Sequence, residues 1–232
     1  MSKITQYSTI GALMSGHFVA DFSLAESHSS TLFGIGCSCG VSGELTIYQG
    51  KFWEATAGEA VHRLQDSRVP FLQVTDFVAE KTFTTLELTD ENIAQRLTQQ
   101  QPIDNTFFAV NITSCFDQVV IRRPQRDPDP SRTIEEMSET QQVDTLHGIE
   151  GQLIGFWTPE LFGRLSVPGF HFHFLSDYRQ LSGHVLSFRT TTATVRYQPK
   201  HSIEISTPTS DDYAQLNIDI SLLDKRISKV EK

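Results

Sequence analysis

The chain has 232 residues, 38% hydrophobic and 20% charged, so it is too apolar for disorder and long enough for one domain or two small ones with a substantial core. Nineteen Lys and Arg stand against 28 Asp and Glu, a net charge of −9. That balance lacks the excess of positive charge that a phosphate backbone or an anionic bilayer demands, which excludes nucleic acid and membrane surfaces as partners.

In chain order, residues 5–15 read as a short helix starting near Ser8 or Thr9 and stopped by Gly16. From 31 to 53, TLFGIGCSC, ELTIY and KFWEA read as strands, the last two joined by a Gln49–Gly50 turn. VPFLQVTDFV (69–78) and KTFTTLEL (81–88) are two more strands. Thr89 then offers an N-cap for a helix over 90–101 that ends before Pro102, with Asp90 and Glu91 favoured by the helix dipole. TFFAVNITSCFDQVVIR (106–122) is β-rich and suggests two strands meeting near Ser114–Cys115. Residues 123–140 hold three of the nine prolines and read as a surface loop or linker ending in an acidic helical turn. Beyond it TLHGIEGQLIGFWTP, FHFHFLSD and GHVLSFRTTTATVRYQ are rich in β-branched and aromatic residues, SDDYAQLNI suggests a short helix, and ISLLDKRISKVEK has helical apolar spacing. The class expected is α+β and predominantly β, with few short helices. A mixed-sheet region spans 1–122, the linker 123–140, and a second, barrel-like β region 141–232 carries the site.

Cys37, Cys39 and Cys115 are too few, and odd in number, for a disulfide-stapled secreted domain; a lone C-x-C reads as small apolar residues near a turn. The first residues carry no leader-like run, and no stretch approaches the ~20 apolar residues of a membrane span. A cytoplasmic setting is therefore expected.

The stretch VPGFHFHFLSDYRQLSGHVLSF (167–188) carries the chemistry. On a strand, His171 and His173 share one face, and Phe170, Phe172 and Phe174 take the opposite, buried one. A hairpin through SDYRQLSG returns His184, just past Gly183, beside that pair. Three imidazoles with an open position suit a catalytic Zn²⁺ or a similar divalent metal, although alternation on a half-exposed strand gives the same spacing. Asp177 and Arg179 are either turn residues or supports that orient the imidazoles. His17, His28, His62, His147 and His201 read as surface or capping residues.

The run PGFHFHFLSDYRQLSGHVL closely resembles the metal-binding segment of the α-acetolactate decarboxylase family. STIGALMSGHF (8–18), SGELTIYQGKFWE (42–54), RVPF (68–71), the helix at 90–100 and EGQLIGFWTPE (150–160) extend the resemblance over most of residues 8–198, in the family's order. It implies a zinc ion on His171, His173 and His184, a catalytic Glu44, a site arginine at Arg122, a tail carboxylate at Glu231 that reaches back to the metal, and a homodimer. Arg123 would face away from Arg122, and Cys37 stands where the family often has Thr. The substrate implied is the small anion 2-acetolactate, decarboxylated to acetoin with the metal as electron sink. Neither a thiamine-diphosphate signature nor a pyridoxal lysine motif accompanies it.

Two other readings share parts of the pattern. PG-x-H-x-H with a distant His is also cupin grammar, for a metal-dependent dioxygenase or isomerase, with Asp177 as its acid and with Glu44 and Arg122 away from the metal. A non-catalytic metal-binding module would need neither Glu44 nor Arg122.

Overall fold

The computed structural model describes residues 3–24, 29–65, 67–126 and 132–231. Its N-terminal part runs β1 (Ile4–Tyr7), α1 (Ile10–Met14), β2 (Phe22–Ser23), β3 (Leu32–Cys37), β4 (Glu44–Tyr48), β5 (Lys51–Ala55), β6 (His62–Leu64), β7 (Arg68–Val69) and β8 (Phe71–Asp76). The helix expected over 5–15 is cut to α1. Ile4 and Gln6 are buried while Thr5 and Tyr7 are half-exposed, a period of two, and residues 5–7 pair antiparallel with β8. Ser8 then turns the chain at φ +66°, and the Thr9 side chain accepts from Ala12 N to cap α1. Gln49 and Gly50 join β4 to β5 with φ of +53° and +73°, the left-handed pair of a tight hairpin.

The second half of the molecule is built from β9 (Lys81–Thr89), α2 (Ile93–Thr98), β10 (Phe107–Arg123), α3 (Ile134–Glu139), β11 (Gln142–Thr158), β12 (Gly169–Ser176) and β13 (Ser182–Lys200). Helix α2 is shorter than the span 90–101 because Thr89 N and Asn92 N each bond the other residue's side chain, at 3.0 and 3.3 Å, tying 89–92 into a turn. β10 is one strand of 17 residues without a break at Ser114–Cys115. The acidic helical turn expected at the end of 123–140 is α3, fixed by a capping box in which Thr133 and Glu136 satisfy each other's backbone N–H.

β14 (Ile203–Ser206), α4 (Asp211–Ala214) and α5 (Ile220–Glu231) complete the chain. One sheet has seven strands in the order β14-β1-β8-β3-β4-β5-β6. The other runs β10-β11-β12-β13-β9, and β10 also pairs with β13, so four strands close on themselves as a small barrel. Predominantly β with few short helices, as the composition of the segments implies, the fold puts the barrel against the sheet. Phe33 and Ile35 of β3 pack there on Phe107, Ala109, Ile154 and Phe156. Inside the barrel Phe172, Phe174, Phe116 and Phe188 meet edge to face. No helix among the described residues is long and apolar enough to cross a membrane.

Two local irregularities position the site. In the β10–β13 ladder Val120 pairs with Ser187 but Ile121 with Val185, leaving Leu186 as an unpaired bulge residue. Gly183 lies where a Cβ would come 2.8 Å from the Arg122 carbonyl oxygen. Gly183→Ala should therefore cost about 1–3 kcal/mol by overpacking, read as a lower urea midpoint. An unchanged midpoint would mean that β10 and β13 can move apart freely.

Candidate functional site

The alternation on β12 sends Phe172 and Phe174 into the barrel core and His171 and His173 toward β4 of the seven-stranded sheet. His173 pairs directly with His184 on β13, and His184 directly with Arg122 on β10. Cross-strand partners share a face, so one row of the barrel carries two imidazoles and a guanidinium. One nitrogen from each of His171, His173 and His184 falls within 4.8 Å of the others. His171 Nε2 and His184 Nδ1 are 3.1 Å apart, close to the edge of about 3.3–3.4 Å between two nitrogens on a tetrahedral ion with ~2.0–2.1 Å bonds.

Burial, with the Arg122 charge nearby, pulls the His171 pKa down to about 3 and holds His173 and His184 well below the usual imidazole range. Neutral imidazole is the form that ligates metal. A hydrogen-bond chain sets which nitrogen of His173 is free. Ser182 Oγ donates to Phe174 O at 2.7 Å, so Ser182 accepts from Thr46 Oγ1 at 2.9 Å, and Thr46 in turn accepts from His173 Nδ1 at 3.5 Å. The lone pair on Nε2 then faces the site.

The three sequence-predicted carboxyl and guanidinium residues come to the same spot. Glu44, first residue of β4, has Oε2 3.4 Å from His173 Nε2. Glu231, last residue of α5, has Oε2 3.3 Å from Arg122 Nη2, 3.7 Å from His184 Nδ1 and 3.8 Å from His171 Nε2. It is brought there by Leu223, Ile227 and Val230, a helical stripe buried beside α1 and α3, and by the pairing of Arg164 with Asp224 and Arg226 with Glu135 on the outer side. Arg122 Nη1 also donates to Val230 O, while its buried Nε has no partner among the described residues. Burial raises Glu44 to about 8, with Arg122 opposing and Glu231 adding to the rise; burial likewise raises Glu231, against Arg122. Two carboxyls thus share one guanidinium among neutral imidazoles. A divalent cation is the charge this donor set lacks, and the three-histidine group can bind one.

Arg123 points the other way, its Nη2 2.7 Å and Nε 3.1 Å from Asp144 Oδ2. Asp177 is exposed in the β12–β13 turn and Arg179 bonds Ser176 O there and lies over Tyr48, so both are turn residues that do not line the site. Cys37, cross-strand partner of Glu44, is buried in the cavity wall, and its thiol is held protonated by burial and by the two carboxyls. Cys39 and Cys115 are exposed. His62, His147 and His201 are on the surface. His17 is not: it is buried, 2.8 Å from Asp21 and edge-on to Tyr213. His28 lies outside the described residues.

The cavity is tight, about 30 Å³. Ile10, Leu13, Met14, Val41, Phe71 and Ile134 form its apolar wall. One polar lining residue, Gln141, has no signature in the sequence beyond its position after the capped helix α3.

The sequence profile described as "Alpha-acetolactate decarboxylase" matches residues 4–220. The chain is 31% identical over 237 aligned positions to the alpha-acetolactate decarboxylase of Lactococcus lactis subsp. cremoris, covering the whole of both. It is 30% identical to that of Brevibacillus brevis, over 92% of this chain and 75% of the relative. Among solved structures, an alpha-acetolactate decarboxylase from Bacillus subtilis strain 168 superposes with a TM-score of 0.93 at 27% identity, over 99% of each chain.

Proposed function

Since the chain belongs to the α-acetolactate decarboxylase family, we propose that it is the buried cluster of His171, His173, His184, Glu44, Arg122 and Glu231 that decarboxylates 2-acetolactate to acetoin. The observation that carries this reading is the convergence of all six groups, drawn from β4, β10, β12, β13 and α5, on one cavity. The cupin-like alternative needs Asp177 near the imidazoles and Glu44 and Arg122 remote from them; the exposed position of Asp177 and the 3.4 Å Glu44–His173 approach speak against it.

In the reaction the bond between the carboxylate and the carbinol carbon breaks, CO₂ leaves, and the electron pair moves onto the adjacent ketone, forming an enediolate. The three imidazoles, with Glu231 as a further donor, would hold a divalent ion, Zn²⁺ in our reading, which when bound supplies Lewis-acid stabilisation of that charge. Arg122 binds the substrate carboxylate: its buried Nε is a donor without a partner among the described residues, and a planar guanidinium offers the fork that a carboxylate accepts. Glu44, 3.4 Å from His173 Nε2, delivers the proton to carbon that turns the enediolate into acetoin. The apolar wall excludes water and faces the substrate's methyl groups. A homodimer in the cytoplasm completes the reading.

Purified protein given racemic 2-acetolactate should release CO₂ and acetoin, lose that activity on treatment with a strong chelator, and regain it with one equivalent of zinc per chain. If metal-loaded protein makes no acetoin, the proposal falls.

A further inference from the structure

Gln141 stands between α3 and β11, two residues before Val143, the cross-strand partner of Arg122. Residues two apart on an extended chain share a face, so Gln141 comes to the side of the β10–β11 pair that carries Arg122. It lines the same cavity. The other polar lining groups are carboxyls, imidazoles, a guanidinium and a thiol, and Gln141 supplies the one carboxamide. Gln142 beside it is engaged, donating to Asp144 Oδ1 at 2.8 Å. The half-buried Gln141 carboxamide makes no hydrogen bond among the described residues.

A carboxamide carries an N–H donor next to a carbonyl acceptor. A 2-hydroxy carboxylate presents the complementary pair, carboxylate oxygen and hydroxyl on one carbon. We propose that Gln141 recognises this pair in the substrate, its N–H donating to a carboxylate oxygen and its carbonyl accepting from the hydroxyl. The inference rests on the decarboxylase reading above and adds a selectivity device to it. Arg122 neutralises the carboxylate of any small acid, whereas Gln141 distinguishes a hydroxy acid from an acid without the hydroxyl. Its donor contact is made to the group that departs as CO₂, so it acts on substrate binding and leaves bond cleavage to the groups around the imidazoles.

The test compares wild type with Gln141→Leu, Gln141→Ala and Gln141→Glu. KM for 2-acetolactate should rise about ten-fold in the Leu and Ala variants, equivalent to about 1.4 kcal/mol, with kcat within about three-fold of wild type. Gln141→Glu, which sets a negative charge against the substrate's own, should raise KM further. Calorimetric titration of the metal-loaded proteins supplies a readout apart from turnover. 2-Hydroxy-2-methylpropanoate, with both recognised groups and no ketone, should bind Gln141→Leu about ten-fold more weakly than wild type. 2-Methylpropanoate, which lacks the hydroxyl, should lose less. If one variant fails to fold, the others carry the comparison. Equal KM and equal hydroxy-acid affinity across the series, or a loss confined to kcat, overturns the role of Gln141 and leaves the decarboxylase reading standing. An inactive wild type overturns that reading instead, and the hydroxy-acid titration still judges Gln141.

Discussion

His173→Gln should lower acetoin formation by at least about a thousand-fold and leave the purified protein with less than one equivalent of bound metal. A Lewis acid at the electron sink contributes several kcal/mol, and each ~1.4 kcal/mol is ten-fold in rate. His173 is the middle member of the cluster, fully buried, with Nδ1 tied to Thr46 and Nε2 turned toward Glu44, so nothing nearby replaces it. The adjacent residue supplies the control. Phe172 points into the barrel core beside Phe170 and Phe188, and Phe172→Leu should cost about 1–2 kcal/mol of stability while keeping metal and turnover. If His173→Gln retained full metal content and activity, the cluster would not be the reaction centre.

The second large effect concerns two neighbouring arginines. Arg122→Lys should reduce kcat/KM by about 10²–10³-fold, the usual consequence of removing one preorganised electrostatic partner of the transition state. Arg123→Lys should stay within a few-fold of wild type. Arg122 shares its ladder row with His184 and reaches Val230 and Glu231, and a lysine there keeps the charge without the fork. Arg123 holds Asp144 on the far face. Steady-state kinetics on the two variants decides the matter, and the reverse order would move the substrate to the other side of β10.

How much of this was legible beforehand depended on the range of the interactions involved. The His-x-His spacing defines a face by itself, and the turn at Gln49–Gly50 and the apolar spacing of Leu223, Ile227 and Val230 are equally local. β1 was not legible as a strand. Residues 4–7 become one only by lying between β8 and a parallel β14 nearly 200 residues later. The run 106–122 divides near Ser114–Cys115 when read from the sequence alone; continuous pairing with β11 on one side and β13 on the other carries β10 through. Helix α3 is legible as the acidic helical turn that ends the proline-rich segment, and Thr133 and Glu136 have capping-box spacing. Gln141, just past that turn, carries no motif of its own. The burial of His17 is not legible locally because its partners, Asp21 and Tyr213, come from a turn and from the far end of the chain.

The bulge at Leu186 has a consequence for lengthening and shortening the chain. His184 and Phe188 are four residues apart, an even count that on a regular strand would aim both the same way, yet one faces the imidazole cluster and the other the barrel interior. The strand therefore changes phase between them, and it carries a spare residue to do so. Losing one residue between His184 and Phe188 removes the spare and leaves both side chains on their present sides. β12 has no such reserve, because its pairing with β11 is unbroken from Gly169 to Ser176. There a one-residue deletion between His171 and His173 would send one imidazole into the hydrocarbon. Tolerance to insertions and deletions in this barrel thus follows pleat parity more closely than distance from the cavity.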